Sequence, residues 1–310
     1  METITHLMPV KNGSLYLIET LRSIADNARQ DDEILVINDG SSDSTLEILT
    51  EASKKLSNLR VISTKGVGIV KSLNLGISES SNVWVARYDV DDFYLKDRVL
   101  KQRALISNKV AAIFCDYELI LDNGISTGII PSAVDNLATI VSLLFSQQTP
   151  HPGVILNKNC ALAAGGYIES DFPAEDLSLW LRMSRYGQLI SIPEVLFRYR
   201  ISNSSTSGSR QMEAKHKKSI ILQEYGLPLD QIQFNFHELS ETFAKYSKLN
   251  LANERKLLLL RNVSKLNKMY PDLGRVNYFV YPNFIVSHPK IVIKLTIQKL
   301  RRWFFRKYSF

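Results

Sequence analysis

The N-terminal third of the chain alternates between two hydrophobic patterns. Short aliphatic runs, "ITHLMPV" (4–10), "EILVIND" (33–39), "LRVIST" (59–64) and "NVWVARYD" (82–89), predict strands. Between them apolar residues recur at helical spacing. "SLYLIETLRSIADNA" (14–28) sets Leu15, Leu17, Ile18, Leu21, Ile24 and Ala25 on one stripe. "SDSTLEILTEASKKL" (42–56), with Asp43 or Ser44 placed to cap it, and "GIVKSLNLGISES" (68–80) predict two more helices. The order β-α-β-α-β-α-β predicts an α/β fold: a mostly parallel, Rossmann-like sheet flanked by helices. Such sheets bind ligands beyond the carboxyl ends of their strands. Asp39 and the cluster Asp89, Asp91, Asp92 fall at those ends, so distant carboxylates converge.

The middle of the chain is less regular. "LKDRVLKQRALIS" (95–107) and "DNLATIVSLLFS" (135–146) predict helices, and "VAAIFCDYELIL" (110–121) one or two strands followed by a "DNG" turn. "HPGVILNK" (151–158) predicts a strand and "GGY" (165–167) a break. "EDLSLWLRMSRYG" (175–187) predicts a helix, and "LISIPEVLFRYRIS" (189–202) two short strands around Pro193. A polar loop or hinge, "SNSSTSGS" (202–209), leads into a stretch rich in Lys, Glu, Gln and Leu up to 270, which predicts two or three helices.

Composition narrows the class. The 310 residues are 45% hydrophobic and 22% charged, the balance of a soluble globular protein. Cys115 and Cys160 lie far apart in apolar stretches and predict two buried, reduced thiols. The five histidines never take zinc-ligand spacing. The start, "METITHLMPVKNG", lacks the basic and apolar regions of a signal peptide, and no apolar run is long enough to span a bilayer, so a cytoplasmic location is expected. The net charge of +7 belongs to the tail: residues 273–310 hold eight of the 38 basic residues and no acid, leaving 30 against 31 in the body. That distribution argues against a nucleic-acid groove across the main domain.

Three segments carry candidate chemistry. Three carboxylates crowded into "ARYDVDDFYLKDRV" (86–99) raise one another's pKa unless a cation sits among them. Mg2+ or Mn2+, which takes one or two carboxylates plus substrate phosphates, meets that need; a solvated turn with helix-capping acids is the plain alternative. In "INDGSSDST" (37–45), Asp39 is placed to accept hydrogen bonds from a base or a ribose, or else to close a strand-to-helix turn. Glu175 and Asp176 suit either the positive end of a helix or a general base. Local chemistry leaves each pair of readings open.

The segments "MPVKNG…LIETLRSI", "VINDGSSDST", "KSLNLGI", "ARYDVDD", "HPGVILNK", "GGY", "AEDLSLWLRM" and "YRISNSSTS" occur in one order over residues 7–207. This ordered set resembles the inverting nucleotide-sugar glycosyltransferases of glycosyltransferase family 2, which have the A-type glycosyltransferase fold. The resemblance implies a catalytic domain over 1–207 and a helical C-terminal region over 208–310. It places Pro9 and Val10 against the nucleotide base with Asn12 beside them, Asp39 on the base, and Lys71 near the nucleotide. It gives Asp89 to the ribose and metal, Asp91 to a Mn2+ or Mg2+ on the diphosphate, and Asp92 to the extra acid often found there. His151 and Glu175 fall on the acceptor side, Asp176 at the catalytic base, and Arg200 near the diphosphate. Trp180 is expected to pack in the core. Ser202 stands where many relatives carry a histidine after Tyr-Arg-x. The implied reaction moves a sugar from a UDP-sugar to a saccharide hydroxyl with inversion of the anomeric centre.

"HPKIVIKLTIQKLRRWFFRKYSF" (288–310) sets Ile293, Ile297, Leu300 and Phe304 at helical spacing among basic and aromatic residues. Such a segment suits the interface of an anionic membrane. By analogy with family members that build bacterial surface polysaccharides, it points to a lipid-linked saccharide acceptor and peripheral attachment to the inner face of the cell membrane. Two other readings compete: a nucleotidyltransferase, for which "PVKNGSLY" is a poor phosphate loop, and a non-catalytic scaffold of the same fold.

Overall fold

The structure is a computed structural model, and it describes residues 2–133, 136–145, 149–201 and 210–224. The chain divides into two compact units, Met1–Gln231 and Ile232–Phe310, and every described residue lies in the first.

The aliphatic N-terminal runs form the parallel half of one mixed sheet. β1 (Ile4–Val10), β2 (Glu33–Asn38), β3 (Leu59–Ser63) and β4 (Trp84–Arg87) stand in the order β3-β2-β1-β4. The crossovers are α1 (Ser14–Asn27), α2 (Thr45–Ser53) and α3 (Ile69–Glu79). β1 is buried along its whole length, as befits a strand covered on both faces. On α1 the buried stripe is narrower than the sequence pattern: Leu17, Leu21 and Ile24 are inside, while Leu15 and Ile18 are exposed. α3 lies close on the sheet at Gly76, where a Cβ would come within 2.3 Å of the Leu7 side chain.

Beyond β4 the sheet continues as β8 (Ile155–Asn157), β6 (Val110–Leu121), β9 (Gln188–Ile201) and β5 (Phe93–Tyr94), with β7 (Ser126–Ile130) paired to β6 as a hairpin. β8 is antiparallel to β4 and β6, β5 is antiparallel to β9, and β6 and β9 run parallel. The segment 189–202 therefore forms one strand rather than two. Its ladder shifts register where Cys115 and Asp116 face Ile192 and Val195, so Pro193 and Glu194 form a bulge. A proline has no N–H to give a ladder, and a bulge accommodates that. The segment 151–158 contains only a short strand; its histidine end is a turn.

The remaining helices are α4 (Arg98–Arg103), α5 (Asn136–Phe145), α6 (Lys158–Ala163), α7 (Glu175–Met183) and α8 (Gln211–Glu224). The Asn157 side chain caps α6 by accepting from the N–H groups of Asn159 and Cys160. At six residues this helix is too short to leave a periodic signature. Cys115 is buried, but Cys160 is only half-buried, which corrects the expectation of two buried thiols.

A charged network is sealed beneath the sheet. Asp32 accepts from the N–H groups of Ile4 (2.9 Å) and Arg29 (2.8 Å), and pairs with Arg103. His6 bridges Asp32 (3.4 Å) and the Tyr88 hydroxyl (2.8 Å). The fully buried Arg98 guanidinium lies over the rings of Tyr88 and Tyr94, 4.2 and 4.9 Å from their centroids. No helix among the described residues is long and apolar enough to cross a membrane. Ser202, the helices expected between 225 and 270, and the 288–310 tail lie outside the described residues.

Candidate active site

The site begins where β4 ends. Strand alternation sends Arg87 and Asp89 to one face and Tyr88 to the other, where Tyr88 meets His6. Two further residues carry the chain through Asp91 and Asp92 into β5. Asp89, Asp91 and Asp92 each offer a carboxylate oxygen, and these oxygens lie within 4.8 Å of one another. Among the described residues this is the one such group of three or more acids, histidines or cysteines. Burial, added to repulsion from Asp89, pushes Asp91 up to about 6. Burial and both neighbours push Asp92 well above the usual carboxylate range. Asp92 Oδ1 accepts the Arg200 N–H (2.9 Å), while its buried Oδ2 has no hydrogen-bond partner.

These oxygens fit a hard divalent cation. Oxygens sharing one Mg2+ stand about 3–4.2 Å apart when each bond is about 2.1 Å. The group thus needs to close by at most about 2 Å. The orphaned Oδ2 of Asp92 and the raised carboxyls both favour a positive charge there.

The loop is held from below. Asp89 N–H donates to the Tyr94 hydroxyl (2.6 Å), and the Tyr94 ring packs on Tyr88 and Phe197. Arg200, near the end of β9, donates from Nε to the Asp91 carbonyl (2.9 Å) and from Nη1 to the Asp122 carbonyl (3.0 Å). Its guanidinium lies 4.7 Å from the centroid of the Tyr16 ring. Arg200 therefore fastens the acid loop to the β6–β7 turn and to α1.

A second acidic pair faces the first. Glu175 and Asp176 open α7, and Asp176 accepts the N–H of Leu177 (2.7 Å). Burial and the charge of Asp176 push Glu175 up to about 7. Burial also raises Asp176, against the pull of its backbone hydrogen bond and of Lys218 on α8. Asp89 contributes to the rise at Glu175, so the two acid groups share one electrostatic site although 86 residues separate them. His151 joins them, with Nδ1 3.9 Å from Glu175 and Nε2 2.8 Å from the Tyr167 hydroxyl. Trp180 is fully buried against Phe114 and His151.

The "GGY" loop that delivers Tyr167 is clamped from both sides. Asn74 on α3 accepts the Tyr167 N–H and donates to its carbonyl, each at 2.8 Å. Arg182 on α7 holds the carbonyls of Ala164 and Gly166. Gly166 has φ +66°, and a Cβ there would come within 2.6 Å of Asn74 Oδ1, so glycine is required.

The opposite wall is built from the ends of β1 and β2. Pro9 and Val10 pair with Ile37 and Asn38, and Asp39 N–H donates to the Val10 carbonyl (2.8 Å). Asn12, at φ 53°, accepts the Ser42 N–H (2.8 Å), which ties the two loops together. The Asp39 carboxylate accepts from Thr64 Oγ1 (2.6 Å) and the N–H groups of Val67 (2.7 Å) and Gly68 (2.9 Å). Burial opposes its ionisation, but these bonds prevail and hold it below the usual range. Asp39 thus orders the β3–α3 loop as well as lining the wall. Lys71 projects from α3 to Glu169, 3.2 Å away, at the exposed rim.

Two residues of the site went unread in the sequence. Arg87 is hidden inside a hydrophobic strand, and its position two residues before Asp89 was the available signal. Tyr167 lay within a segment read only as a break.

The fold is that of the A-type glycosyltransferases, with two acidic groups at the carboxyl end of its sheet. Residues 5–124 match the family described as "Glycosyl transferase family 2". A relative from Haemophilus influenzae, described as an uncharacterized glycosyltransferase, is 27% identical over 318 residues, covering 96% of this chain and 94% of its own. TarS 1–349 of S. aureus in complex with UDP superposes with a TM-score of 0.56 at 18% identity, covering 93% of this chain and 90% of that one. Mannosyltransferase PcManGT from Pyrobaculum calidifontis, in complex with GDP-Man and Mn2+, gives 0.55 at 16% identity, covering 97% and 83%. The family match covers residues 5–124, and the fold and the relatives together support a glycosyltransferase.

Proposed function

We propose that the protein transfers a sugar from a UDP-sugar to a saccharide hydroxyl in a single displacement that inverts the anomeric carbon. The observation that carries this reading is the meeting of Asp89, Asp91 and Asp92 with Glu175 and Asp176 around Arg87. The first group suits a diphosphate with its cation, and the second suits a hydroxyl that must lose a proton. UDP is favoured because TarS has been solved with UDP and with UDP-GlcNAc.

Pro9, Val10, Asn12 and Asp39 line the nucleotide end, with Lys71 at the rim. Asp91, aided by Asp89, holds Mn2+ or Mg2+. That cation, when bound, supplies charge neutralisation at the departing diphosphate. Arg200 keeps the acid loop in place beside the diphosphate. On the acceptor side, Asp176 takes the proton from the attacking hydroxyl, and a pKa raised by burial makes it a stronger base than a solvated aspartate. Glu175 and His151 hold the acceptor against α7. One displacement needs no carboxylate nucleophile. The catalytic domain is residues 1–207, and 208–310 form the C-terminal region. The basic aromatic segment 288–310 binds the inner face of the cell membrane, where the acceptor is a lipid-linked saccharide.

A thermal-shift panel of UDP, GDP, CDP and dTDP, each with and without Mn2+, tests the donor side. A ligand at a hundred times its dissociation constant stabilises by about 2.7 kcal/mol. The expected result is a metal-dependent shift with UDP; no shift with any nucleotide sinks the reading. Asp176→Asn is expected to abolish transfer while UDP binding persists. Deletion of 288–310 is expected to release the protein from anionic vesicles, and continued sedimentation with them rejects the membrane assignment.

A further inference from the structure

The Arg87 side chain is 3% exposed and its guanidinium is ion-paired with the Asp89 carboxylate, which is 28% exposed. Its Nε has no hydrogen-bond partner. The backbone on either side is fixed: Arg87 N–H donates to the Val154 carbonyl (2.9 Å), and the Arg87 carbonyl accepts from Gly153 (3.3 Å). The guanidinium therefore cannot follow a mobile partner far. Around it stand both acidic groups. Its charge works against burial at Asp91, Asp92, Glu175 and Asp176, favouring the ionised form of each, and reinforces burial at His151 in keeping that ring neutral.

We propose that Arg87 is a positioning residue that serves as the site's built-in counter-ion, holding Asp89 and making capture of a divalent cation depend on the nucleoside diphosphate. The inference rests on the metal reading given above. A carboxylate already engaged by a buried guanidinium is a poorer ligand for a second cation. A dication arriving alone also meets a fixed positive charge that has no route to solvent. The diphosphate carries the negative charge that offsets both cations at once, so metal and nucleotide bind as a unit. This is a coupling between two ligands, and it is reciprocal: the metal tightens the nucleotide by the same factor.

The test is a Mn2+ titration of the full chain, following free Mn2+ by electron paramagnetic resonance, with and without saturating UDP, in the wild type, Arg87→Met and Arg87→Lys. In the wild type, UDP is expected to tighten Mn2+ by about tenfold or more, within the usual range of such couplings. R87M is expected to bind Mn2+ alone more tightly than the wild type and to lose most of the nucleotide-dependent gain, while R87K restores part of it. An arginine that merely props up the fold would weaken Mn2+ binding with and without UDP together. That outcome, or an equal gain in R87M and wild type, overturns the proposal. Should R87M fail to fold, the wild type still decides: equal Mn2+ affinity with and without UDP overturns it. Absence of Mn2+ binding under every condition, with GDP tried in place of UDP, rejects the metal reading and the counter-ion with it.

Discussion

The Tyr167 hydroxyl lies 2.8 Å from Nε2 of His151, and the other ring nitrogen, Nδ1, faces Glu175 at 3.9 Å. Burial raises the Tyr167 pKa, and burial together with Arg87 drops His151 well below its ordinary value. Both groups are therefore neutral near pH 7. A hydroxyl that donates to Nε2 leaves the ring proton on Nδ1, directed at Glu175. The tautomer is thus assigned from the network around the ring.

Removing that hydroxyl frees the ring to flip. Tyr167→Phe is expected to lower kcat/KM for the acceptor by about tenfold, the effect of leaving one buried nitrogen without its partner. Nucleotide affinity should stay within about twofold, since Tyr167 is not part of the wall proposed for the nucleotide. Steady-state kinetics with varied acceptor, beside a UDP titration, checks both; an equal loss in the two would place Tyr167 in the donor site.

Glu175 gives a pH signature in stability. Its carboxyl is raised above the unfolded value, so its contribution is complete below about pH 4.3 and is lost as pH rises through about 7. Glu175→Gln cannot ionise. In metal-free buffer its Tm is expected to match the wild type near pH 4.5 and to exceed it by about 4 °C at pH 8. A difference that is the same at both pH values refutes the assignment.

The sealed network beneath the sheet is a stability element. Asp32 is fully buried, and bonds from His6, Arg103 and two N–H groups outweigh its burial and hold its pKa far down. Its contribution is present above about pH 3.9 and disappears as pH falls below that value. Arg103→Met leaves this carboxylate without its cation and is expected to cost about 3–5 kcal/mol, or on the order of 10 °C in Tm. Adding Asp32→Asn should recover much of the loss. Urea titrations of the single and double variants measure the coupling, and additive losses would mean that the pair does not interact.

Gly153 follows the turn that carries His151. It has φ +81°, and a Cβ there would meet the Phe197 ring at 2.5 Å. Its carbonyl accepts from the buried Gln102 amide at 2.8 Å. Gly153→Ala combines about 1–2 kcal/mol of left-handed strain with about 1–3 kcal/mol of overpacking. A Tm lower by on the order of 10 °C is expected; a loss under about 1 kcal/mol would show that the strand end can relax.

The parallel half of the fold was legible because each strand and helix there carries its own period. The acids were legible for a related reason, since Asp39, Asp89 and Asp176 stand where a hydrophobic pattern stops or starts. What escaped lies in contacts between distant residues. Asn74 and Tyr167 are 93 positions apart, and no local pattern joins them. β5 has two residues, α6 has six, and the bulge at Pro193 depends on a partner strand. The loop that satisfies Asp39 comes from beyond the following strand, so its structural duty was hidden behind its expected ligand role.

Arg200 is the penultimate residue of β9, and through its backbone N–H and guanidinium it grips Asp92 and Asp91. Only Ile201 separates this grip from the chain that runs on towards the C-terminus. A shift of that strand end therefore reaches the Asp92 carboxylate through the Arg200 N–H and the Asp91 backbone through its guanidinium. The end of β9 thus works as a tether point for the acid loop.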